Sequence, residues 1–291
     1  MDSCNEEVIY HYTSVEVLMN MFNGRNGKSS LWASGANSMN DYLENHWVIE
    51  VVKRLPIQKI LSGILNRPDL GINAKTIKKY ESIYFEDLIL DICSNRDSNV
   101  ITFLSSLSYE KDKLSQWRAY ADNGRGVAIG FTKSKLKPFL KANNFRLNDV
   151  VYCEKEQYNE LERFMYNLII EDVQNENDNI FESLNDTLLK DDRRLDCLLE
   201  WCATYKNPAF AEEKEVRIWC SRKLYREKIE FRHSQGSIIP FMNFSFDASC
   251  IAEIVLGPKF TEANEPAYLE SFLFHNKLEH VNLISSKATY R

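Results

Sequence analysis

Short apolar runs alternate with longer stretches of helical spacing along the chain. Val8-Ile9-Tyr10-His11-Tyr12 is β-branched and aromatic and reads as a strand. Thr13 or Ser14 is placed to cap the next helix, where Val17, Leu18, Met21 and Phe22 recur at helical intervals. Gly24 and Gly27 end it. Ser30-Leu31-Trp32-Ala33-Ser34 is a second strand. Met39-Asn40-Asp41 opens a helix carrying Leu43, Trp47, Val48, Val51 and Val52. Pro56, Pro68 and Gly71 break the pattern within 55–75. Helical spacing resumes over 76–94 through Ile77, Tyr80, Ile83, Tyr84, Leu88 and Ile92. Residues 99–107 form a strongly apolar run that predicts a central strand. A helix over 111–122 follows, then the turn Asn123-Gly124-Arg125-Gly126 and the buried strand Val127-Ala128-Ile129-Gly130-Phe131.

The second half repeats the alternation. Thr132 or Ser134 starts a helix ending near Asn143, and Val150-Val151-Tyr152 reads as a short strand. Residues 155–205 are mainly helical, interrupted by an acidic, Asn-rich stretch at 171–179. Strands are expected at 229–232, 237–241 and 251–256, the last stopped by Gly257-Pro258. A helix over 263–276 and a strand at 281–284 close the chain. The pattern predicts one α+β domain over 1–291. Its sheet is mixed and mostly antiparallel, with helical insertions at about 41–95 and 155–205.

One stretch stands apart. In Tyr205-Lys-Asn-Pro-Ala-Phe-Ala-Glu-Glu-Lys-Glu-Val-Arg-Ile-Trp219, charges fall at every second position from Glu213. Strand geometry would line Glu213, Glu215 and Arg217 along one face and turn Val216 and Ile218 to the other. A solvated edge strand with an ion pair explains this pattern as readily as a site does. The functional reading is a carboxylate positioned to bind ribose hydroxyls or assist bond cleavage.

Composition narrows the classes. The 291 residues are 44% hydrophobic and 27% charged, ordinary for a folded protein with a sizeable core. A net charge of -6 argues against a broad basic surface for nucleic acid. The start lacks a secretory apolar region, and no run is long enough to span a membrane, so a cytoplasmic protein is expected. The seven cysteines include no Cys-x-x-Cys pair, which predicts reduced thiols and no metal centre. Walker, dinucleotide-fingerprint, nucleophile-elbow and His-Glu-x-x-His motifs do not occur.

Other candidates are weaker alone. A lone His11 within an aromatic strand is commonly a satisfied core group. Asn40, Asp41 and Glu44 fit a helix cap with a first-turn acid. Trp117 and Tyr120 share a helical face and read first as core. Arg118 and Arg125 bracket the glycine turn, where an anion could meet backbone N–H groups.

Taken in order, His11-Tyr12-Thr13, Leu31-Trp32-Ala33-Ser34, Asn40-Asp41 with Glu44, Trp117-Arg118-Ala119-Tyr120-Ala121, Gly126–Phe131 and Glu213–Arg217 resemble a known set. The set is that of the bacterial family called domain of unknown function 2971, and the resemblance runs along nearly the whole chain. More distantly, a His-Tyr-Thr strand with a late strand glutamate is similar to ADP-ribosyltransferases. That resemblance implies an ADP-ribosyltransferase-like fold and NAD as substrate. It implies that His11, with Tyr12 and Ser34, holds the cofactor, and that Trp117 or Tyr120 stacks on it. Arg118 and Arg125 would meet the pyrophosphate, and Glu213 or Glu215 would be the catalytic acid. No metal is required. The implied setting is a toxin or phage-defence effector, with a protein or nucleic-acid acceptor and a defence-system partner. Two other readings stand beside it. One is a metal-dependent nuclease using Asp41, Glu44, Glu213 and Glu215; the other is a non-enzymatic nucleotide- or protein-sensing module.

Overall fold

The computed structural model describes residues 6–22, 29–36, 47–93, 100–173, 179–223, 228–234, 236–260 and 266–290. The expected features at Gly24, Gly27, Asn40, Asp41, Leu43 and Glu44 lie outside these described residues.

The apolar run at 100–108 does become the central strand, and it has three neighbours. Strand β3 (Val100–Ser108) pairs antiparallel along its whole length with β6 (Glu215–Lys223). Its other edge is shared. Strand β1 (Val8–Thr13) meets it at Tyr10 opposite Ser108. Strand β2 (Ser29–Gly35) meets it at Ser34 opposite Leu104 and Gly35 opposite Phe103. Between these contacts β1 and β2 part, and the sheet opens beside Ser105, Ser106 and Leu107.

Each arm then continues outward. β1 leads through β4 (Val127–Thr132) and β9 (Ile251–Leu256) to the parallel β10 (Asn282–Ser285). β2 leads through β8 (Ser237–Phe246) to β7 (Glu230–Ser234). β5 (Arg146–Asp149) covers the far edge of β6. The fold is therefore α+β around an open, mixed, mostly antiparallel sheet.

Alternation along the strands sends side chains into two separate cores. On one side Val216, Ile218, Cys220, Phe103, Phe244 and Phe246 meet α1 (Val15–Phe22), α7 (Lys133–Ala142) and α11 (Pro266–His275). On the other side Trp219, Leu104 and Val100 meet a helical body. That body combines α2 (Trp47–Val52), α3 (Ile57–Leu65), α4 (Ala74–Lys78) and α5 (Phe85–Cys93) with α8 (Glu154–Asp172), α9 (Ile180–Leu189) and α10 (Asp192–Thr204). Helix α6 (Leu114–Tyr120) packs Trp117 against Tyr10 and Tyr12. Local caps agree with the pattern: Ser14 Oγ accepts from Val17 N, and Asn179 and Asp191 cap α9 and α10.

Several boundaries differ from the sequence reading. The helical stretch over 76–94 is divided, because Ile83 takes an extended conformation before α5. Val150-Val151-Tyr152 is no strand; the pairing strand is the polar β5 just before it. Val150 N makes a last bond to Glu215 O of β6, and Val151 N turns to Thr204 O at the end of α10. Their β-branched character reflects the buried junction with α10. Cys153, Cys197 and Cys250 are free thiols, but Cys202 is disulfide-bonded, so the expectation of uniformly reduced cysteines does not hold. Among the described residues, no helix is long and apolar enough to cross a membrane.

Gly126 shows how closely β1, α6 and β4 meet. A Cβ there would stand 2.1 Å from Thr13 O and 3.0 Å from Ala121 C. Both are backbone atoms and cannot swing aside. Gly126→Ala is expected to destabilise the fold by about 3 kcal/mol or more in urea unfolding. An unchanged midpoint and slope would show that this junction is loosely packed.

Candidate functional site

The opening in the sheet is a cavity of about 450 Å³. Tyr10, His11 and Tyr12 of β1 form one bank, and Trp32 and Ser34 of β2 the other. Ser105, Ser106 and Leu107 of β3 form its back. Gln116 and Tyr120 of α6, then Lys206, Phe210, Glu213 and Glu215, close one side, and Arg232 reaches in from β7. His11 and Glu215, distant along the chain, thus line one space.

The charged wall is built by the stretch at 205–219. Asn207 caps a 3₁₀ turn, Pro208–Glu213, by accepting from Ala209 N. Lys214 then takes a left-handed conformation at φ 43°. Strand β6 begins only at Glu215, so the expected pleat does not include Glu213. Glu213 reaches the same side because the turn folds it there. Ser108 Oγ donates to Glu213 O at 2.6 Å and fixes that turn against β3.

Four charges interlock. Arg217 Nε and Nη2 donate to the two oxygens of Glu215 at 2.8 and 3.1 Å, a bidentate fork along one strand face. Arg217 Nη1 donates to Ala203 O at 2.7 Å, at the end of α10. Lys206 Nζ donates to Glu215 Oε2 at 2.9 Å and to Glu213 Oε2 at 2.6 Å. Arg217 is fully buried and Lys206 and Glu215 nearly so. Burial raises the Glu215 pKa, but attraction to Arg217 and Lys206, with the hydrogen bonds from Arg217, outweighs it. The carboxyl is held down at about 2. Glu213 is the more open acid: its Oε1 accepts from Tyr120 OH at 3.3 Å beside the cavity.

Across the opening, His11 Nδ1 lies 3.0 Å from Ser106 O. A carbonyl only accepts, so Nδ1 carries the proton and Nε2 of the neutral ring is an acceptor. Burial pushes the His11 pKa down and favours that neutral ring, and the hydrogen bond to the Ser106 carbonyl opposes this only in part. Tyr12 OH donates to Glu110 O at 2.7 Å and accepts from Lys113 N, so it lines the cavity as a fixed wall. Ser34 Oγ accepts from Arg232 Nη2 at 3.1 Å.

Three predicted binding residues do not line the cavity. Trp117 is fully buried, edge-on to Tyr12, with its indole N–H on Asp112. Arg118 is exposed and lies over the Tyr290 ring, and Arg125 is exposed beyond the turn. The helix and turn that carry them aim both guanidinium groups away from the opening. Positive charge reaches the cavity from Lys206 and Arg232 instead. Of the four acids in the nuclease reading, Asp41 and Glu44 are outside the described residues. Glu213 and Glu215 share the Lys206 ammonium, which occupies the place between them that a cation would take. Among the described residues, no group of three His, Cys, Asp or Glu is arranged to hold a metal ion.

The sequence reading also passed over Gln116, Trp32, Phe210, Lys206 and Arg232 as site residues. Lys206 left the best signal, a lysine directly after the buried end of an amphipathic helix. Gln157 of α8 holds it from behind: Nε2 donates to Lys206 O at 3.0 Å and Val151 O at 2.6 Å, while Oε1 accepts from Trp47. The helical body thereby carries Lys206 to the sheet.

Comparison with known proteins adds a partial kinship. A family model described as Protein of unknown function (DUF2971) matches residues 116–218. No curated protein and no solved structure matches the chain. The matched segment supports kinship with that family and runs from Gln116 through most of the Glu215–Arg217 neighbourhood. It holds the charged wall with Tyr120, whereas His11, Trp32, Ser34 and Arg232 lie outside it.

The buried acid sets a pH dependence. Its folded pKa lies below the ordinary 4.5, so its stabilisation is present above pH 4.5 and lost as pH falls toward 2. Glu215→Gln takes from Arg217 the carboxylate its fork meets, leaves Lys206 to its Glu213 pairing, and is expected to cost about 3–5 kcal/mol at pH 7. Urea titrations at neutral and acidic pH should show the gap from wild type narrowing below pH 4.5. A constant gap would contradict the ion-pair account.

Proposed function

We propose that the opening binds NAD and that the protein is an ADP-ribosyltransferase-like enzyme. The observation that carries this reading is the placement of Glu213. One oxygen is fastened by Lys206 and the other reaches Tyr120, facing a cavity whose opposite bank carries His11. Glu215, with both oxygens bonded to cations, is the buried anchor of that arrangement.

In this reading His11 Nε2 accepts from a ribose hydroxyl, and Tyr120 or Trp32 supplies an aromatic face for nicotinamide. The C1′–N bond breaks with its electron pair leaving on nicotinamide. The positive ribosyl centre that remains resembles the centre formed in glycoside cleavage, and the Glu213 carboxylate stabilises it. Water or a nucleophile on a protein or nucleic acid then bonds to C1′ and releases a proton. Transfer to a macromolecule is the version that fits a toxin or defence effector.

Nicotinamide release from labelled NAD, with and without cell extract as acceptor, tests the proposal. Glu213→Gln is expected to lower kcat on the order of 10²–10³-fold while staying folded, with a smaller loss of stability than Glu215→Gln. Glu215→Gln is expected to lose activity and stability together. Full turnover by a folded Glu213→Gln would remove the carboxylate from the mechanism. No release by wild type under either condition would favour ligand sensing over catalysis.

A further inference from the structure

A second cavity of about 210 Å³ adjoins the first on the α1 side, where Thr13, Asn20 and Met21 line it. His11, Trp32, Ser34 and Arg232 line both. These four residues form the junction between β1 and β2. Arg232 reaches it from β7, where it pairs with Ile239, and crosses β8 to Ser34.

Among the described residues, the charges lining the first cavity cancel except for Arg232. Glu213 and Glu215 balance Lys206 and Arg217 within one bonded cluster. Arg232 Nη2 is held by Ser34, but its Nε is buried without a hydrogen-bond partner. The acid two positions away, Glu230, accepts from Asn243 Nδ2 at 2.9 Å. A buried guanidinium N–H without an acceptor is costly, and a ligand anion would satisfy it.

We propose that Arg232 binds a phosphate in the middle of a ligand that passes between β1 and β2 and fills both cavities. The position at the junction selects the chemistry. A carboxylate ends a molecule, whereas a phosphodiester or diphosphate keeps its charge with substituents on both sides. Arginine suits such a group because its fork meets two oxygens at once. The inference rests on the proposed ligand site and adds the anion anchor that Arg118 and Arg125 do not supply.

Calorimetric titration with ADP-ribose, AMP and adenosine tests it. Wild type is expected to bind ADP-ribose most tightly and adenosine least. Arg232→Gln should weaken ADP-ribose on the order of 10- to 100-fold and leave adenosine unchanged. Arg232→Lys keeps the charge without the fork and should fall between, which preserves the test if the glutamine variant folds poorly. Equal affinity of wild type for ADP-ribose and adenosine, absent ADP-ribose binding, or unchanged ADP-ribose affinity in a folded variant would overturn the proposal. Parallel nicotinamide-release assays separate it from the enzymatic reading. Arg232-dependent binding without turnover removes only the enzyme; turnover with an unchanged KM in Arg232→Gln removes only the phosphate anchor.

Discussion

The pairing of Glu215 with Arg217 and Lys206 is the interaction on which the two halves of the structure meet. A carboxylate this deeply buried is stable only when cations and hydrogen bonds replace its lost hydration. Arg217 supplies one partner from the same strand face and is itself held by the carbonyl at the end of α10. Lys206 supplies the other from the segment leaving α10, and Gln157 holds the Lys206 carbonyl. The helical body therefore completes an ionic cluster that the sheet alone would leave without the Lys206 ammonium. The same lysine fixes Glu213, so structural and candidate chemical roles are joined through one ammonium group.

The second constraint is the sharing of one β3 edge by β1 and β2. A continuous partner there would close the sheet. Instead each strand makes a brief contact, and the His11 ring bonds Ser106 O in the space between. An opening inside a sheet places backbone, imidazole and carboxylate around one volume while packed cores lie on both faces. That arrangement favours a rigid site, because its banks are strands anchored by β4 and β8.

Much of this was legible in the residues. The alternation at Val216 and Ile218 predicted a core-facing side of β6, and Glu215 and Arg217 do share the other. The apolar run of β3 predicted a central strand. The split edge was not legible, because local periodicity reports which face a residue takes and not which neighbour it pairs with. Arg118 and Arg125 sit near the chain's glycine turn yet lie exposed and do not line the opening, while Arg232 arrives from an edge hairpin across β8. Glu213 reached the expected side by a left-handed turn at Lys214 that a strand pattern cannot encode. Val150 and Val151 misled because β-branched residues serve a buried crossing as well as a strand.

The most direct test of the account is a crystal structure of the protein with ADP-ribose bound. The account predicts ligand density between β1 and β2, with a ribose hydroxyl within hydrogen-bond distance of both His11 Nε2 and Glu213, and Glu215 still bonded to Arg217 and Lys206. Ligand bound elsewhere on the surface, with the opening in the sheet unfilled, would contradict it.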